Sequence, residues 1–117
     1  MEKETNGLFC KIINGQIKSD KLYEDEEIFA FKDIHPVAPV HFLVIPKRHI
    51  PNVMEINEAD AELLGRIIFR AQTLAAELGC AENGFRLVNN CKSYGGQTVD
   101  HLHFHVIGGR QLSWPPG

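Results

Sequence analysis

Apolar positions recur along this chain at two periods, and the periods sort its segments. Between Glu58 and Leu78 the spacing is helical. Leu64, Ile68, Ala71, Ala75 and Leu78 form one stripe, with Leu63, Ile67 and Leu74 beside it. Asn57 is placed to cap the start, with Asp60 three residues on, and Gly79 stops the end. Leu8 to Ile13 repeats the helical spacing briefly before Asn14-Gly15. Elsewhere the pattern is that of strands. Leu22-Tyr23 and Ile28 to Phe31 flank the acidic turn Glu24 to Glu27 and predict a hairpin. His41 to Ile45 lies between Pro39 and Pro46 and predicts a buried strand. Phe85 to Val88 and residues 101–107 supply two more. Strand hairpins with one long helix predict an α+β domain with a mostly antiparallel sheet.

Bulk properties narrow the classes. The chain has 117 residues, enough for one domain with its own core, and no repeat or linker divides it. Residues 1–6 are polar and predict a flexible start. With 44% hydrophobic and 23% charged residues, the composition is that of a folded protein. A net charge of -3 without a basic run argues against a general nucleic-acid binder, yet leaves room for a small anionic ligand. No apolar run reaches membrane-span length. Cys10, Cys80 and Cys91 form no CxxC pair and are expected as free thiols in a reducing cytoplasm.

The densest candidate chemistry is at Gly95-Gly96-Gln97-Thr98-Val99-Asp100-His101-Leu102-His103-Phe104-His105. Three of the six histidines alternate with Leu102, Phe104 and Val106. On a strand, His101, His103 and His105 would share one face, roughly 6.6 Å apart, with the apolar set buried behind them. Three readings fit this spacing. The row could bind a metal, though one ion could reach only two of the three without a bend. It could be the polar face of an edge strand. It could also attack phosphorus, because a neutral imidazole is a nucleophile when its second nitrogen keeps an oriented proton. The Gly95-Gly96 turn favours the last reading, because glycines let backbone N–H groups approach an anion. Gln97 and Thr98 add side-chain donors.

His101-Leu102-His103-Phe104-His105-Val106-Ile107 resembles the signature of the histidine triad (HIT) proteins. The resemblance extends to Phe31-Lys32-Asp33-Ile34-His35-Pro36 and to Ala38 through Lys47. The tail Gly108-Gly109-Arg110-Gln111-Leu112-Ser113-Trp114-Pro115-Pro116-Gly117 resembles the Hint branch, the nucleoside phosphoramidases. That resemblance implies a single domain with a five-stranded, mostly antiparallel sheet, one long helix and a short N-terminal helix. It implies a homodimer that hydrolyses P–N bonds of purine nucleoside 5′-phosphoramidates and binds AMP or GMP, without cofactor or metal. His103 would be the nucleophile, with His101, His105 and His41 supporting it. Asp33 matches the ribose carboxylate, and Ile34, Phe31 and Phe9 match contacts to the base. Asn90, Gly96, Gln97 and Thr98 match the phosphate side, and Trp114 lies on a tail expected near the partner subunit. His35 and His49 are expected as surface residues.

The chain departs from the family pattern at three places. Gly7 stands where many bacterial relatives begin a zinc-holding CxxC, so no zinc is expected at Cys10. Thr98 replaces a common Ser, and Lys92 stands where Gly is frequent. Two alternative functions remain within the resemblance: a dinucleoside polyphosphate hydrolase, and a regulatory protein that binds nucleotide without turnover. A metal-histidine protein is the reading outside it.

Overall fold

The computed structural model describes residues 7–117, so the polar start at residues 1–6 lies outside the described residues. The helix α1 (Leu8–Ile13) precedes three strands: β1 (Lys21–Glu24), β2 (Ile28–Lys32) and β3 (Val40–Pro46). Two 3-10 turns lead into α2 (Ala61–Glu77). The strand β4 (Phe85–Val88), the one-turn helix α3 (Lys92–Gly95) and β5 (Phe104–Gly108) complete the chain. The five strands form one antiparallel sheet in the order β1-β2-β3-β5-β4. None of these helices is long and apolar enough to cross a membrane.

Strand alternation produces two different faces. Ile28, Ala30, Phe42, Val44, Phe104 and Val106 pack with Leu63, Ile67, Ala71, Leu74 and Ala75 of α2 in the main core. Their neighbours Phe29, Phe31, Leu43 and Ile45 point the other way and pack with Phe9 and Ile12 of α1. His105 pairs with Leu43, and His41 with Ile107, so both imidazoles share the α1 side of the sheet. The smaller core therefore ends where the histidines begin.

The start of the long helix follows its sequence signals. Asn57 accepts from Ala59 N while the Asp60 carboxylate accepts from Asn57 N at 3.0 Å, a reciprocal cap. The residues 58–60 are wound as a 3-10 turn, so α2 proper begins at Ala61. The apolar stripe differs from its sequence reading. Ile67, Ala71 and Leu74 are centred on the sheet, whereas Ile68 is 45% and Leu78 39% exposed. Apolar residues cover more of this helix than one sheet face can bury.

The last strand also differs. It begins at Phe104, not at residue 101, so only His105 of the triad lies in the ladder. Upstream, His101 N donates to Val99 O, and Leu102 N donates to Ile50 O at 2.6 Å. These backbone donors are satisfied outside the sheet, and the segment bends inward. His101 is 2% and His103 4% exposed, so they do not form an open polar face.

Ile67→Ala removes a fully buried side chain from the centre of the α2 contact. It is expected to lower the unfolding free energy by about 2–5 kcal/mol, read from urea denaturation. Asn57→Ala, which removes the cap, is expected to cost about 1 kcal/mol by the same measurement.

Candidate active site

The bend before β5 sorts the three histidines by what each ring nitrogen meets. His103 Nδ1 lies 2.7 Å from the carbonyl oxygen of His101. A carbonyl only accepts, so Nδ1 carries the proton and Nε2 presents a lone pair. Asn89 Nδ2 donates to His103 O at 2.9 Å and fixes that residue's backbone to the exit of β4. Phe9 of α1 stands edge-on to the His103 ring at 5.1 Å between centroids.

The same bookkeeping fixes His41 and His105. Val37 N donates to His41 Nδ1 at 3.1 Å, which leaves the proton of neutral His41 on Nε2. That nitrogen lies 3.0 Å from His105 Nδ1 and 3.4 Å from Asp33 Oδ2. His41 therefore donates to His105, whose own proton sits on Nε2. The ring centroids of His103 and His105 are 5.0 Å apart, and those of His105 and His41 are 5.2 Å apart. The row that sequence spacing gives to three consecutive histidines is built instead from His103, His105 and His41.

His101 turns elsewhere. Its Nε2 donates to Pro46 O at 2.8 Å, and its Nδ1 lies 3.9 Å from Cys10 Sγ. His49 joins this cluster, with Nδ1 4.0 Å from the same sulfur and its ring edge-on to His101. His49 is only 9% exposed, which corrects its expected place on the surface. It sits between Arg48 and Ile50 without alternation, so no pattern marks it as interior.

Among the described residues, two clusters bring candidate ligand atoms close enough to share a metal ion. Asp33, His41 and His105 are close enough, but His41 Nε2 already holds its proton because Nδ1 accepts from Val37. Ligation there would require an imidazolate or the loss of that backbone bond. Cys10, His49 and His101 fit better. The Pro46 carbonyl holds the far nitrogen of His101 and aims Nδ1 at the cluster, as metal-bound histidines require. Sulfur–nitrogen separations of 3.9 and 4.0 Å are slightly wider than the roughly 3.5 Å of a tetrahedral zinc site. Cys10 thus has two histidine companions that the sequence reading did not give it. They could supply three of zinc's four ligands, and such an ion would cross-link α1 to the segment before β5.

Burial sets the charge of the row and of His101. It pushes His101 and His105 down to about 4, and neighbouring imidazoles push the same way. Desolvation also lowers His103, against its bond to the His101 carbonyl and the charge of Asp33. It lowers His41 as well, against Asp33. All four are neutral near neutral pH.

The remaining sequence candidates divide into those near the row and those apart from it. Asp33 faces His41, and its other oxygen accepts from His35 N at 2.8 Å. His35 itself is exposed, as expected. Phe31 is buried against Phe9 and Phe29, whereas Ile34 is 81% exposed. Gly96 ends α3 with φ +80, a conformation that suits glycine. Thr98 is exposed and Asn90 half-buried. Gln97 is not a free donor: its Nε2 serves Pro51 O at 2.7 Å and Val99 O at 2.9 Å. Trp114 is 80% exposed on the tail, which Arg86 holds through Ser113 O. Asn89, next to the expected Asn90, is the residue whose side chain reaches the His103 backbone. The Val88–His105 pairing could have found it, because it puts the exit of β4 beside His103. A groove of about 580 Å³ lined by Cys80, Phe85, Arg86, Arg110 and their neighbours contains none of these histidines.

This α+β sheet with a buried, hydrogen-bonded imidazole row defines the class of protein. The family model described as HIT domain matches residues 14–112, and the chain belongs to the HIT family. It is 48% identical over 110 residues to an uncharacterized HIT-like protein of Synechococcus elongatus, covering 94% of this chain and 96% of that one. The crystal structure of a HIT family hydrolase from Legionella pneumophila superposes with a TM-score of 0.94 at 52% identity, covering 96% of this chain and 100% of that one. A histidine triad nucleotide-binding protein from Candida albicans matches with a TM-score of 0.81 at 34% identity, over 94% and 83% of the two chains.

The neutral row has a consequence for stability. Each imidazole binds a proton more readily unfolded, near pH 6.5, than folded, so its stabilising contribution is present above that pH and is lost as pH falls toward 4. Between about pH 7 and 5, His101 and His105 are each expected to remove at most on the order of 2 kcal/mol. Urea midpoints measured across that range should fall steadily. A flat profile would contradict the buried, neutral assignment.

Proposed function

We propose that this protein hydrolyses purine nucleoside 5′-phosphoramidates through a nucleotidyl-histidine intermediate on His103. The observation that carries the reading is the 2.7 Å bond from His103 Nδ1 to His101 O, which leaves Nε2 bare beside a second neutral imidazole. Nucleophilic catalysis by histidine needs this state: one nitrogen held as a donor, the other free to attack. Hydrolase activity accords with the Legionella relative, and a nucleotide ligand with the Candida one.

In this reading Nε2 of His103 attacks the α-phosphorus and the P–N bond breaks. The departing amine takes a proton from solvent, while Nε2–H of His105, oriented by His41, hydrogen-bonds the transferring group. Water then cleaves the phosphorus–histidine bond, gives its proton to solvent and releases the nucleoside monophosphate. Asp33 is suited to accept from ribose hydroxyls, with Phe9, Phe31 and the exposed Ile34 toward the base. Asn90, Thr98 and the backbone of Gly96-Gln97 are assigned to the phosphate, where N–H groups stabilise developing charge. Donation from the Gln97 side chain is left out of this assignment, because that group is already bonded within the protein.

The reading includes a homodimer. β4 is an edge strand whose Phe85 and Leu87 are 37% and 36% exposed. Leu87 pairs with Val106, so both residues lie on the α2 side of the sheet, where Ile68 and Phe69 of α2 are also exposed. An apolar sheet edge of this kind suits pairing with a second copy, and Trp114 would then stand near the partner. Cys10, Cys80 and Cys91 form no disulfide, which suits a cytoplasmic setting.

Adenosine 5′-phosphoramidate should be hydrolysed in the presence of a chelator, and diadenosine polyphosphate much more slowly. His103→Ala should reduce kcat by about 10³-fold or more while the variant still binds AMP. Full turnover by that variant would remove His103 from the role of nucleophile. A faster rate on the polyphosphate would move the substrate to a P–O–P linkage.

A further inference from the structure

Lys92 adopts φ +61, the one positive φ at a non-glycine residue among the described residues. A lysine pays a steric cost there that glycine does not, so something nearby must hold it. The residue that holds it is Gln97. Its Oε1 accepts from Lys92 N at 2.8 Å, and its own backbone N donates to Lys92 O at 3.0 Å. Lys92 is thus gripped on both sides by a single residue five positions on. The rest of the carboxamide reaches outward, with Nε2 donating to Pro51 O and to Val99 O. Pro51 follows Ile50, whose carbonyl accepts from Leu102 N between His101 and His103. One side chain therefore joins the strained turn of α3 to the segment that carries the proposed nucleophile.

We propose that Gln97 is a positioning residue that clamps the α3 loop, holds Lys92 in its strained conformation and so fixes the Gly96–Thr98 backbone for the substrate phosphate. The proposal deepens the phosphoramidase reading and rests on it for its catalytic consequence. The clamp itself is a property of the protein without nucleotide. In this role the Gln97 side chain acts through the loop and does not touch the phosphate. Strain and clamp should then be coupled: if glycine replaces Lys92, the loop depends less on the grip.

The test uses Gln97→Ala, Lys92→Gly and the double variant of the full chain. Two readouts are taken: hydrogen exchange of the 91–98 peptide without nucleotide, and kcat and KM on adenosine 5′-phosphoramidate. Gln97→Ala should speed exchange across 91–98 and lower kcat/KM by about 10- to 100-fold. Lys92→Gly alone should stay within about twofold of wild type, because glycine accepts that backbone freely. The double variant should recover part of what Gln97→Ala loses in both readouts, because glycine removes the strain at position 92 but not the loss of the bonds to Pro51 and Val99. Gln97→Glu keeps the acceptor for Lys92 N but loses both donors, and should speed exchange less than Gln97→Ala; it also serves if Gln97→Ala fails to fold. Unchanged exchange in Gln97→Ala, or a double variant no better than Gln97→Ala, overturns the clamp. A wild-type protein that turns over no phosphoramidate sinks the functional reading, while the exchange measurements still decide the clamp.

Discussion

The hydrogen bond from His103 Nδ1 to the carbonyl of His101 is the constraint on which the rest of the site depends. It forms only because the chain leaves the sheet before Phe104. A regular strand would commit the His101 carbonyl to a neighbouring ladder or to water, and would stand the His103 ring out from the sheet. The Leu102–Ile50 backbone bond and the Asn89–His103 contact hold the segment in its bent form. Local backbone geometry thereby selects one tautomer of one imidazole, and that tautomer sets which nitrogen can react.

From this constraint the environment of the row follows. The bend buries His101 and His103 under α1, with Phe9 against both rings. Burial removes water from the imidazoles and keeps them neutral. Neutrality is what allows His41, His101, His103 and His105 to crowd together without mutual repulsion. It also suits the proposed attack by His103, because a protonated imidazole is no nucleophile. The cost falls on acid stability, since an unfolded chain accepts the protons that the folded one refuses.

The sequence was most informative where periodicity and side-chain type agree. The five strands, their pairing as an antiparallel sheet, the long helix and its Asn57–Asp60 cap all follow from alternation, helical spacing and capping chemistry. The triad motif marked the candidate site and matched the family. What alternation could not show was its own interruption. His101, Leu102 and His103 alternate as a strand does, but His101 N donates to Val99 O and Leu102 N to Ile50 O, the latter a contact that no local pattern encodes. His49 stayed hidden for the same reason, since its partners are 39 and 52 residues away in Cys10 and His101. Gln97 was legible as a polar donor beside a Gly-Gly pair, but not as one already engaged.

Gln97 and Lys92 show how such long-range satisfaction becomes chemistry. The Gly95-Gly96 pair gives the loop freedom to approach an anion, and freedom alone would leave its donors poorly aimed. Preorganisation requires a second element that removes the freedom again. Here one carboxamide does so with all its hydrogen-bonding groups, linking the α3 loop, the β3–α2 connection and the approach to β5. A residue that touched the phosphate directly would stabilise charge once substrate arrives. A residue that holds the loop beforehand lowers the reorganisation needed at that moment. The two roles differ in when the ordering cost is met, and this protein meets it during folding, at the same bend that orients His103.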